Sequence, residues 1–123
     1  MAVKTANGTL TVSTVATESL TAWAPYIAIS ISSSVAGVAN VVAGKSTVAD
    51  PAVGADDTYV VTSGTTLIVR NPIPRSGLQT VDSTYTTITQ PTQAAVTVKL
   101  ISAAALVYSV QLVNDPGIAT IMN

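Results

Sequence analysis

Histidine, cysteine and phenylalanine are all absent from this 123-residue chain. Without cysteine there is no disulfide framework and no thiolate metal site. Without histidine the commonest general base and the commonest metal ligand are lost together. Charge is scarce as well, at 9% of residues against about 25% in ordinary soluble domains. The formal net charge is −1, with five lysines and arginines in all. Sequence-independent binding to nucleic acid needs several cations to displace counterions, so no direct contact with nucleic acid is expected. A glycine-rich phosphate loop is missing too. These absences predict that the chain is not an enzyme and carries no cofactor or metal.

Small aliphatic side chains and threonine are what the chain has in quantity. There are 18 Val, 18 Ala, 9 Ile and 7 Leu to fill a core, and 19 Thr. Hydroxyls sit well on pleated surfaces and are cheaper to bury than charges. The length suits one compact domain that folds without staples. A dispersed monomer needs a charged coat, and this chain has little of one. The composition therefore predicts a homo-oligomer, its neutral surface covered by other subunits. A secreted Thr-rich β-domain is the alternative, because it also tolerates low charge.

Alternation of apolar and polar residues predicts strands throughout. The stretch 94–113 (AAVTVKLISAAALVYSVQLV) is too long for one strand. A break at Ser102-Ala103-Ala104 gives two, 96–101 and 105–113, expected at the centre of a sheet. Leu106, Tyr108, Val110 and Leu112 share one parity and read as its core face. The cleanest alternation is 26–32 (YIAISIS), with Ile27, Ile29 and Ile31 on one side. Further strands are expected at 9–15, 17–23, 35–43, 78–81 and 84–89, with a hairpin of 58–62 and 65–70 turning at Ser63-Gly64. Asn7-Gly8 and 114–117 (NDPG) read as turns, 45–57 as a long loop, and 71–77 (NPIPRSG) as a rigid connector whose prolines prevent pairing. No helix shows 3.6 periodicity. The sum is an all-β chain: a single β-sandwich or jelly-roll-like domain of eight to ten short strands. Its divisions are a polar N-terminal arm at 1–8, the sandwich at 9–117 and an apolar tail at 118–123. The polar start is no secretory signal, since no apolar run follows it.

Residues 19–44 carry no charge. Serines, Asn40, Pro25 and two glycines interrupt them, so no membrane span is predicted. Three aspartates, Asp50, Asp56 and Asp57, share the long loop. Their spacing departs from the calcium-loop pattern, and a solvated turn is the better reading. Glu18 is the only glutamate, with no Asp placed opposite it for two-carboxylate chemistry. Lys45-Ser46 lacks any further signature of a nucleophile. A lysine–asparagine amide cross-link is left open by the sequence. Lys99, inside a predicted strand, either faces solvent or guards a sheet edge. Interaction surfaces are the remaining candidates. Arg70 and Arg75 flank the proline connector and suit an interface anchor. Trp23 and Tyr26 form the one aromatic cluster, and Ile118, Ile121 and Met122 make the tail apolar.

The neutral stretch LTAWAPYIAISISSSVAGVANVVAG, the connector NPIPRSG and the tail GIATIM resemble, in style over the whole chain, the small accessory proteins of tailed-bacteriophage capsids. The resemblance carries no motif and transfers no functional residue. It implies a cement or decoration subunit, often trimeric, that clamps the outer surface of a shell built from a major capsid protein. Such a protein is made in the host cytoplasm and ends on the virion exterior. Many modest contacts then act together through avidity, and one chain end is expected to reach onto a neighbour. Two alternatives stand beside it. One is a surface or secreted carbohydrate- or ligand-binding β-module with Trp23 and Tyr26 as a stacking platform. The other is another virion part, such as a tail-tube or coat subunit.

Overall fold

The computed structural model describes residues 2–32, 35–75, 80–81, 88–89 and 93–115. Ten strands are present among them: β1 Ala2–Thr9, β2 Ala16–Leu20, β3 Tyr26–Ile31, β4 Val38–Gly44, β5 Tyr59–Thr62, β6 Thr66–Arg70, β7 Thr80–Val81, β8 Ile88–Thr89, β9 Val96–Ser102 and β10 Val107–Val113. Eight of them build two antiparallel four-stranded sheets, in the orders β1-β10-β3-β6 and β2-β9-β4-β5. The sheets face each other across one aliphatic core, so the protein is an all-β sandwich. β7 and β8 pair only with each other.

The chain changes sheet at almost every connection. Only β4 and β5 are consecutive strands of the sandwich that also pair with each other. First and last strands of the sandwich lie together, and each sheet interleaves early and late strands. With β7 and β8 left aside, this is the connectivity of a jelly roll, two Greek keys folded into facing sheets.

Parity explains the core. Ile27, Ile29 and Ile31 of β3 are buried, as are Tyr108, Val110 and Leu112 of β10 and Val96, Val98 and Leu100 of β9. Each set sits on one side of its strand, where period-two geometry sends it to the facing sheet. A second, smaller cluster lies on the outer side of the first sheet, where Ala28, Ile68 and Val113 pack with Tyr26.

Several local expectations are corrected. β9 and β10 do not share a sheet: each is central, but to opposite layers. The break between them is a corner. Ser102 Oγ donates to the Val38 carbonyl at 2.7 Å, and the Ala104 amide donates to Ser102 Oγ at 3.1 Å. Residues 58–70 form an arch rather than a hairpin, since β5 pairs with β4 and β6 with β3. Gly64, at φ 84°, supplies the left-handed step. Its amide bonds the Ile31 carbonyl at 2.7 Å while that of Ser63 bonds Gly37 at 2.9 Å, so the turn is fastened to both layers.

Residues 10–15 are a corner too, and of the strand expected at 9–15 only Thr9 is in one, as the last residue of β1. Leu10 is buried and its amide bonds the Leu106 carbonyl at 2.7 Å. Ser13 then takes φ 54°, which ends any extended run. The segment read as an arm, 1–8, supplies most of β1, an edge strand paired with β10 from Ala2↔Val113 to Thr9↔Val107. Asn7 and Gly8 lie within that ladder opposite Ser109 and Tyr108, so they make no turn. The strands expected at 78–81 and 84–89 are present at Thr80–Val81 and Ile88–Thr89; their other residues lie outside the described residues, as does the tail 118–123.

Candidate interaction surfaces

Four of the residues singled out above meet at one corner of the first sheet. Tyr26 opens β3 and Arg70 closes β6, and the register sets them opposite each other. The Arg70 guanidinium lies 6.0 Å from the Tyr26 ring centroid. Two prolines bound this corner, and Asn71 stitches it together. The Asn71 amide donates to the Pro25 carbonyl at 2.8 Å and its side-chain Nδ2 to the Ala24 carbonyl at 3.0 Å. Its Oδ1 accepts the Ile73 amide at 2.9 Å. Ile73 is buried, and its carbonyl accepts the Trp23 indole N–H at 2.8 Å. Arg75 then covers Trp23, with Cζ 5.6 Å from the ring centroid. The rigid connector is therefore held against 23–26 by polar bonds and the Arg75–Trp23 cation–π contact, with the Arg70–Tyr26 contact between β6 and β3 beside it; each is worth about 0.5–1 kcal/mol where exposed. Trp23 is half-buried with its polar group satisfied. Ile118, Ile121 and Met122 lie outside the described residues.

A second surface, on the outer side of the other sheet, is one that sequence reasoning missed. The loop 45–57 folds back over β4 and β9 and is fastened at two points. Lys99 Nζ donates to the Val48 carbonyl at 2.7 Å and to Asp50 Oδ1 at 2.8 Å. Lys99 thus guards no edge, because β9 runs between β2 and β4. Asn40, 4% exposed, accepts the Gly54 amide at 2.9 Å and donates to Thr58 Oγ1 at 3.0 Å. Thr58 in turn donates to the Ala55 carbonyl at 2.8 Å. Between this loop and the strands lies an open concavity of about 450 Å³. Its walls are mainly aliphatic: Val38, Val53, Val60, Ala103 and Ala104, with Asp56 among the lining residues. Three of those valines are well exposed. The signal available in sequence was Asn40, a lone amide inside the apolar run VANVVA.

Glu18 and Tyr108 form a third polar feature. Glu18 stands on β2 and Tyr108 on β10, so the bond from the Tyr108 hydroxyl to Glu18 Oε2 ties the two layers together. Burial, the hydrogen bond to Glu18 and that carboxylate's charge, in this order, push the Tyr108 hydroxyl well above the usual phenol range. The ring lies over Gly8, its cross-strand partner. The arrangement is a structural strut, with a phenol where carboxylate-pair chemistry would need a second acid.

Among the described residues, no group of three or more His, Cys, Asp or Glu is placed to hold a metal ion. No helix among them is long and apolar enough to cross a membrane. Comparison with protein-family models, with curated proteins and with solved structures finds no match for the chain.

Proposed function

We propose that this chain is a structural virion protein, a cement or decoration subunit that binds and stabilises the outer surface of a capsid shell. The observation that carries this reading is the exterior. Every large apolar side chain left exposed among the described residues is a valine, seven in all, on a chain with five cations and six acids. Burying such a side chain yields about 1.5–3 kcal/mol, so a neighbour that covers several of them gains a useful contact without any single strong site. The major capsid protein is the proposed partner and a homo-trimer the proposed state. The site of action is the virion exterior, after synthesis in the host cytoplasm.

The jelly-roll connectivity favours a second reading, a coat subunit, because the fold recurs in viral capsid domains as well as lectins. That is an argument from fold alone and assigns no activity. The carbohydrate-binding alternative has less support. A stacking platform needs a bare aromatic face, whereas Trp23 has Arg75 over its ring and its N–H bound to Ile73.

The test has two parts. Light scattering on the purified chain is expected to give a small closed oligomer. That oligomer is expected to co-sediment with shells assembled from the coat protein encoded beside its gene, and to raise their melting temperature. Closed particles formed by the chain alone would favour the coat reading instead. A stable monomer that leaves shells unchanged would overturn both.

A further inference from the structure

The geometry points to the occupant of the concavity over β4 and β5: the Val3–Lys4 corner of a second copy of this chain. This inference rests on the self-association proposed above and deepens it. The concavity asks for two things together. Its valine and alanine walls take an aliphatic group. Asp56 adds a carboxylate that joins no ion pair among the described residues, where the pair is Lys99–Asp50. An aliphatic residue beside a cation on a long hydrocarbon stem satisfies both requirements.

The chain presents that combination once among its described cations. Lys99 is committed to Asp50 and Val48. Arg70 and Arg75 lie over Tyr26 and Trp23. Lys45 stands between Gly44 and Ser46, and Val48, whose amide bonds the Lys45 carbonyl at 2.9 Å, is partly buried rather than presented outward. Lys4 follows Val3, and both are exposed. The ladder explains why. Its register shifts between Ala2 and Lys4, so Val3 is the extra residue of a bulge on an edge strand. Bulges break the alternation of side chains and re-aim them. Lys4 also shares parity with Ala6, the core-facing side of β1, although it is itself exposed. An inward-parity lysine at an edge discourages strand-to-strand pairing. Docking by side chains leaves that safeguard in place.

The two surfaces are well separated. β1 and β5 lie at opposite edges of their sheets. Val3 lies at the Tyr26 end of the sandwich, since Ala2 pairs with Val113 and Val113 with Tyr26. The concavity reaches Gly37, which bonds the arch at the other end. Each copy can therefore give one corner and receive another at once, a heterologous contact that closes into a ring or runs on as a chain.

Charge exchange tests this without touching the core. Lys4→Asp and Asp56→Lys, each measured by sedimentation velocity, are expected to weaken self-association about tenfold or more. The double variant K4D/D56K is expected to return to within about threefold of the unaltered chain, since the swap restores opposite charges. Lys45→Asp serves as the control and is expected to change nothing. Oligomers unmoved by K4D and D56K, or a double variant no better than either single one, would overturn the inference while leaving self-association standing. An unaltered chain that stays monomeric at every concentration would remove self-association itself, and this contact with it.

Discussion

Replacing Gly8 with alanine probes how two strands share one space. Gly8 sits within the β1 ladder opposite Tyr108. A Cβ there would stand 2.6 Å from Tyr108 Cζ and 2.9 Å from Cε2. The ring must move, and its hydroxyl is bound to Glu18 across the sandwich. On entropy alone, alanine would stabilise the fold by about 0.4–1 kcal/mol. Against that stand about 1–3 kcal/mol of overpacking and about 1.5–3 kcal/mol for a hydrogen bond to a charged acceptor. The net expectation is a loss of about 2–5 kcal/mol, read as a fall of about 1 M or more in the urea midpoint. A second background sharpens the test. With Tyr108→Ala in place there is no ring to displace, so Gly8→Ala should become neutral or stabilising, a coupling of about 2 kcal/mol or more. Equal effects in both backgrounds, or a stabilised single variant, would refute the reasoning.

Tyr108→Phe should cost stability at neutral pH and progressively less in alkali. The folded chain keeps a phenol proton that the unfolded chain releases above about pH 10. The unfolded state then binds fewer protons, so this group's contribution falls by up to about 1.4 kcal/mol per pH unit above that point; a difference between the two proteins that stays constant to pH 12 or so would contradict this. Asn40→Ala takes the acceptor from the Gly54 amide and one of two partners from the Thr58 hydroxyl, with an expected loss of about 1–3 kcal/mol and faster hydrogen exchange at Gly54 than at β3 amides. Arg75→Ala uncovers one face of Trp23, so indole emission should shift to the red while stability changes by less than about 1 kcal/mol; emission that does not move would mean the guanidinium does not shield the ring.

Strand positions were legible wherever one face is buried and the other is not. Ile27, Ile29 and Ile31 announce β3 because burial imposes period two on the sequence itself. The layer each strand joins was not legible. A Gly-containing turn looks the same whether it closes a hairpin or an arch. What decides at Ser63-Gly64 is the pair of carbonyls from Gly37 and Ile31, which lie far back in the chain. Asn7-Gly8 misled for a related reason. Local chemistry says turn, but the glycine makes room for a ring 100 positions away in sequence, at Tyr108. The aromatic corner was legible one residue at a time, and only the register of β3 with β6 joins Tyr26 to Arg70. The concavity left almost no trace, since it arises where a loop folds back over strands through Lys99 and Asn40.

Pairing the first strand of the sandwich with its last has a price in time. While the chain is being synthesised, β1 has no ladder to enter until β10 has left the ribosome, and β2 waits likewise for β9. Within the sandwich, only β4 and β5 can zip together as neighbours. Closure of so many long loops before any sheet is complete makes for slow folding. Neutral, valine-rich strands will meanwhile lie open to one another, so crowded nascent chains should depend on holding chaperones more than a protein of this size ordinarily does.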